Sequence, residues 1–147
     1  MENKTYFISK RECIGYCCYE FQPGKYKPAR KLEDSLCLSA YQMGEMSPFG
    51  FFIDNFDYLG VTCLNKDDCN AFIEKLRIFA SLLKADKGVL EALEHMELYN
   101  PRVDGSWSFE DKMNSLNIEK LYNTTEALSE WIAEKLKTYK VISIIGI

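Results

Sequence analysis

The chain lacks almost everything that names a chemistry. His95 is its one histidine, so a reaction needing an imidazole would have to run through that side chain. On the second of its expected helices His95 lies opposite Val89, Leu93 and Met96 and one turn after Glu91, an i, i+4 pair on a solvated face. Gly44, Gly50 and Gly60 stand alone, outside any G-x-G-x-x-G or G-x4-G-K arrangement, which excludes a loop that cradles phosphate. Apolar runs reach about five residues, around Phe51–Ile53 and at Val141–Ile145, against the ~18–20 that a membrane span needs. The opening Met1-Glu2-Asn3-Lys4-Thr5 holds no signal-peptide core. A soluble cytoplasmic protein with no membrane association is the expectation.

Six cysteines are present, at positions 13, 17, 18, 37, 63 and 69. The spacings Cys13-x3-Cys17-Cys18 and Cys63-x5-Cys69 are not the paired knuckles that put two thiolates on one zinc. Neighbouring Cys17 and Cys18 on a strand would face opposite ways. In a reducing compartment all six are expected as small, buried, reduced hydrophobes, with no metal and no cofactor.

What is present is an ordinary globular mixture. The 147 residues, 47% hydrophobic and 27% charged, fit one domain spanning 1–147, and nine Phe, nine Tyr and two Trp supply a well-packed interior. Residues 5–10 and 12–20 read as strands, the second covered on both faces. Gln22-Pro23-Gly24 marks a turn, followed by a basic loop from Lys25 to Lys31. Residues 33–43 fit a helix through Leu36, Ala40 and Met43, ending at Gly44, and Ser35–Tyr41 also fits a strand; the helix is the preferred reading. Phe49–Ile53 and Phe56–Leu64 read as strands around a tight Asp54-Asn55 turn.

From residue 65 the apolar period lengthens to 3.6. Asn65 and Asp68 form a capping box, and Cys69, Phe72, Ile73, Leu76, Phe79, Ala80 and Leu83 make one stripe. Asp86 and Gly88 interrupt it before a second stripe through Val89, Leu90, Leu93 and Met96. A loop runs from Asn100 to Ser108, where Ser108 with Asp111 would cap a short helix. Asn123 with Glu126 reads as the capping box of the last helix, whose stripe is Leu128, Trp131, Ile132 and Leu136. Lys140–Ile147 is a β-branched strand that rejoins the sheet. The expected class is α+β, a largely antiparallel sheet with several helices packed against it.

Asn100–Asp111 approaches a calcium loop, with Asn100, Asp104, Gly105 and Asp111 at the first, fifth, sixth and twelfth places. Arg102 stands where a third oxygen ligand belongs and would repel the ion, so a type I turn at Val103–Ser106 is the better account. The pairs Asp54/Asp57, Asp67/Asp68 and Glu110/Asp111 fall at turns and helix starts, where acids serve caps and dipoles. No catalytic residues are assigned, and the chain is read as a non-enzyme.

Charge is the most informative feature. Residues 1–31 carry seven basic and three acidic side chains, whereas residues 86–134 carry four basic and eleven acidic ones, a net of −7. Glu126, Glu130 and Glu134 lie four apart on the last helix, and Glu91 and Glu94 lie on the exposed side of the second. Such a face suits electrostatic docking of a basic partner. Next to it, Tyr99-Asn100-Pro101-Arg102-Val103-Asp104-Gly105-Ser106-Trp107 offers Tyr99, Arg102 and Trp107, residue types enriched at binding hot spots. Glu91, Glu94, Tyr99, Arg102, Asp104, Trp107, Glu126, Glu130 and Glu134 are therefore the expected partner-binding residues.

This acidic tally and this loop, on a small α+β domain without catalytic motifs, resemble the general profile of bacterial toxin-immunity proteins. The resemblance implies a cytoplasmic inhibitor that occludes a basic, nuclease-like toxin stoichiometrically, without turnover. Other readings stay open. Lys25, Lys27, Arg30 and Lys31 around Tyr26 would make a small phosphate-binding edge for nucleic acid, opposed by the acidic remainder of the chain. A ligand-binding regulatory domain or an enzyme of unfamiliar type are the further alternatives.

Overall fold

Both halves of the expected α+β architecture are present. The computed structural model describes residues 4–9, 18–27, 34–43 and 47–146. Strands β1 (Phe7–Ile8), β2 (Cys18–Pro23), β3 (Leu36–Ser39), β4 (Val61–Asn65) and β5 (Val141–Ile145) form one antiparallel sheet in the order β1-β3-β2-β5-β4. The helices are α1 (Ala40–Met43), α2 (Lys66–Lys84), α3 (Val89–His95), α4 (Pro101–Asp104), α5 (Trp107–Ser115) and α6 (Ile118–Lys135), with a 3-10 turn at Pro48–Phe52. No helix among the described residues is long and apolar enough to cross a membrane.

Alternation along the central strands sorts the sheet into two faces. Tyr19, Phe21, Leu38, Leu64, Ile142 and Ile144 point to the side where α2 and α6 pack and form the main core. The opposite side carries Cys18 and Cys37 with Ile8 against them, and the fully buried polar side chains Glu20, Gln22 and Ser143. Gln22 is the organiser there. Its Nε2 donates to Glu20 Oε2 at 3.2 Å and to the Lys27 carbonyl at 3.3 Å, while its Oε1 accepts the Lys27 N–H at 3.1 Å. These bonds satisfy a polar group that burial would otherwise penalise and tie Gly24–Lys27 back onto the sheet. β2 is thus buried on both faces as expected, although one face is polar; residues 12–17 of that expected strand lie outside the described residues.

The strand continues through Pro23, where a turn was expected. The Gly24 N–H donates to the Val141 carbonyl at 2.7 Å, so alternation aims the Pro23 nitrogen at the other neighbour, β3. That strand's pairing ends at Phe21↔Leu36, so the missing proton costs no ladder bond. The turn follows at Gly24, whose φ of 85° favours glycine.

Two further segments depart from their expected form. Leu36–Ser39 is a strand, and the preferred helix shrinks to the single turn Ala40–Met43, because Leu36–Ser39 pairs with both β1 and β2; the expected cap, Gly44, lies outside the described residues. Phe49–Ile53 is a 3-10 turn and not a strand. Ser47 caps it by accepting the Phe49 N–H at 3.2 Å, and Pro48 sits in its first turn. Phe49 and Phe52, three apart, thereby share a face on Phe79 of α2. The strand expected over 56–64 begins only at Val61, after the turn through Asn55, which has a φ of 58°.

The helices follow the apolar period closely. The Asn65/Asp68 capping box opens α2, and the seven residues of the expected stripe, Cys69 to Leu83, are its buried residues. The last helix is longer than its expected start. Asn117 caps it by accepting the Lys120 N–H at 2.9 Å, and Asn123 is an interior residue that donates to the Lys4 carbonyl. Thr124 and Thr125 do not stop the helix, because each hydroxyl bonds the carbonyl four residues back. Thr124 also accepts the Tyr6 N–H at 2.7 Å, and the Tyr6 hydroxyl accepts the Asn117 N–H, pinning the first strand to α6.

Two expectations about the cysteines are corrected, since Cys63 is exposed and not buried, and not every cysteine is a reduced thiol. Cys18 is disulfide-bonded, while Cys37, Cys63 and Cys69 are free; spacing alone does not reveal such a bond. Burial, with the Asp68 charge second, pushes the Cys69 thiol up to about 11, so it stays protonated and unreactive near neutrality. Denatured, unreduced protein is expected to titrate about four thiols, and a count of six would remove the disulfide.

Candidate functional site

Asn100–Asp111, the strongest sequence signal outside the core, forms two short helices around a corner. The Asn100 side chain accepts the Arg102 N–H at 3.0 Å, and Asp104 Oδ2 accepts the Asn100 N–H at 2.9 Å. Both calcium-like oxygens are thus spent on capping α4. The corner is Gly105, where a Cβ would run into the Pro101 carbonyl, and α5 starts at Trp107 with Ser106 in the N-cap position, two residues before the cap expected at Ser108. Helix α4 replaces the expected type I turn, because Asn100 and Pro101 are a strong N-cap pair. Among the described residues no group of three or more His, Cys, Asp or Glu is arranged to hold a metal ion.

This corner stands on an aromatic base. Tyr99 is buried and meets Phe51 edge-on at 6.2 Å and Phe109 at 5.8 Å. At this corner Val103 on α4 and Trp107 on α5 are exposed, at 78% and 83%. Arg102 and Asp104 are exposed beside them. The Tyr99 phenol is raised above its ordinary range by burial first and then by the Glu110 carboxylate, with Asp104 and Glu94 adding their charge. Three acids therefore converge on the buried Tyr99 phenol at the base of this corner.

The expected site residues divide accordingly. Glu94 and Asp104 come together around Tyr99, and Arg102 on α4 and Trp107 at the start of α5 are on the same stretch of chain. Glu91 is one turn earlier on α3 and is bound to Lys87 at 2.9 Å. Glu126, Glu130 and Glu134 are on α6, which packs chiefly on α2, whereas α3 packs on α2 and α5. Two of these three are engaged: Glu126 bonds the Tyr122 phenol, which it raises, and Glu134 pairs with Lys137 at 3.0 Å. Glu130 is exposed. Val103 and Glu110 were not among the expected residues. Glu110 follows Trp107 by three within α5, a spacing legible once that helix is recognised, whereas Val103 belongs to α4 and the break at Gly105–Ser106 separates it from Trp107.

Elsewhere, His95 is exposed at the end of α3. Lys25, Tyr26 and Lys27 of the basic loop are exposed; Arg30 and Lys31 lie outside the described residues. A groove of about 780 Å³ between α2 and α6 is lined by Lys66, Ile73, Arg77, Ile78, Leu136 and Lys137 among others, and by none of the expected site residues. No protein-family model matches this chain, and no curated protein or solved structure matches it.

Proposed function

We propose that this protein is a non-enzymatic binding module that inhibits a basic, nuclease-like toxin domain in the manner of an immunity protein, by occupying its active site or substrate groove. The observation that carries the reading is Trp107, 83% exposed at the start of α5, close in sequence to Tyr99, around which Glu94, Asp104 and Glu110 gather. An exposed tryptophan has a cost in solubility that a buried one does not, and at an interface it fills a pocket and expels water. The acids supply steering toward a cationic surface, and α4, capped by Asn100, sets the corner after which α5 and its Trp107 begin. Occlusion needs one molecule of inhibitor per molecule of toxin and no turnover. Intracellular residence belongs to this proposal.

Trp107→Ala tests it. Partner captured from lysate of the source cell by the wild-type protein is expected to be basic, and its nuclease activity to fall linearly to zero at equimolar inhibitor. The variant is expected to lose at least about 2 kcal/mol of binding, some 30-fold in Kd. Its folding stability should stay within about 0.5 kcal/mol of wild type, since the side chain is exposed. Inhibition at substoichiometric amounts, or undiminished binding by the variant, would remove this reading.

A further inference from the structure

Among the described residues, β4 ends the sheet with an open edge. Its inner side pairs with β5, and the Gly146 N–H donates to the Gly60 carbonyl at 2.7 Å. Alternation from that bond turns the main-chain groups of Thr62 and Leu64 toward β5 as well, and those of Val61, Cys63 and Asn65 outward. The Asn65 N–H is taken by Asp68 Oδ2. The N–H and C=O of Val61 and of Cys63 are left without partners among the described residues. Proteins ordinarily guard such an edge with Lys, Pro or a bulge, and Val61-Thr62-Cys63-Leu64 has none. Space of about 530 Å³ borders all four of these residues, between the Phe52–Asn55 turn and the Asp68, Ala71 and Lys75 side of α2. Consecutive strand residues point to opposite faces, so space bordering four in a row lies along the edge itself.

The geometry points to a second copy of this chain as the occupant, joined β4 to β4 in antiparallel fashion about a twofold axis at Thr62. That register sets Val61 of each copy opposite Cys63 of the other. It matches the four unpartnered groups of one edge to the four of its mate, and it asks nothing of Asn65, already bonded. A register centred on Cys63 would need the occupied Asn65 N–H. Charge agrees with self-pairing, since the bordering space holds both signs, Asp54 and Asp68 with Lys75. Leu59 and Val61, 80% and 39% exposed, and the exposed Cys63 would line one face of the joined edges. Two five-stranded sheets would become one of ten strands.

Sedimentation equilibrium of the full chain over a wide concentration range tests this. Wild type is expected to be a dimer that dissociates on dilution. Val61→Lys sets like charges close together across the axis and is expected to weaken the dimer at least about tenfold, with unchanged circular dichroism. Cys63→Pro removes only an outward N–H and should act likewise; Val61→Lys carries the test if that proline impairs folding. In this register the two Cys63 Cα atoms are about 8–9 Å apart, too far for a disulfide but within reach of a short bismaleimide. Crosslinking should therefore give a dimer that Cys63→Ser abolishes. A monomer at every concentration, including one that pairs only with another protein's strand, overturns the proposal. A dimer indifferent to Val61→Lys does the same.

Discussion

Phe79→Ala is expected to cost about 3–5 kcal/mol of folding stability, a large share of the ~5–15 kcal/mol that holds a domain of this kind folded. Phe79 is fully buried on α2. Its ring meets Phe52 at 5.2 Å and Phe49 edge-on at 6.4 Å, and Phe52 in turn meets Phe72 at 6.5 Å. Truncation would empty the centre of that cluster, and the 3-10 turn that seats Phe49 and Phe52 is too short to collapse into the gap. The measurement is urea unfolding, with the midpoint lowered and the slope unchanged. Ile78→Ala is the internal control. It lies one residue earlier, 44% exposed, and is expected to cost under about 1 kcal/mol. Equal costs at the two positions would mean that the 3-10 turn does not rest on α2.

Those two neighbours also mark where the sequence was legible. Over residues 65–84 capping chemistry and apolar period point the same way, so the start of α2 and each of its buried side chains follow from local rules. The final strand was readable for a similar reason, being β-branched and close behind a helix end. Phe49–Ile53 misleads because its composition suits a strand, and what decides its form is Ser47 and Pro48 before it and the Phe79 surface beneath it. Asn123 misleads because an Asn with Glu three residues on satisfies the cap pattern anywhere. Only the bond from its side chain to the Lys4 carbonyl, 119 positions away, shows that it is spent elsewhere. The strand at Leu36–Ser39 is likewise a tertiary fact, since it exists through two partners distant in sequence. At the candidate site the residue types were legible and their grouping was not. Charge counted along the chain joined Glu126, Glu130 and Glu134 to Glu94 and Asp104 as one face, whereas in the fold α6 packs chiefly on α2 while α3 packs on α2 and α5, and two of the first three are tied to Tyr122 and Lys137.

That separation sets up a contrast between two charge reversals. Glu94→Lys with Glu110→Lys acts around Tyr99 and leaves Asp104 in place, since its carboxylate caps α4. The changes cost a favourable dipole contribution of about 0.3–1 kcal/mol at the start of α5, so the double variant should fold. If these carboxylates steer a basic partner, reversing them should slow association by one or more orders of magnitude at low salt, with the gap closing as salt rises and screening shortens the reach of the field. Reversing Glu126, Glu130 and Glu134 together changes the net charge of the molecule by more. It is nevertheless expected to slow association less, because Glu126 and Glu134 already face Tyr122 and Lys137 and only Glu130 projects unengaged. Stopped-flow association at two salt concentrations distinguishes the local field from the global one. A rate that simply follows net charge would make the triple variant the slower, and Trp107 would then be left as an aromatic contact without an electrostatic guide.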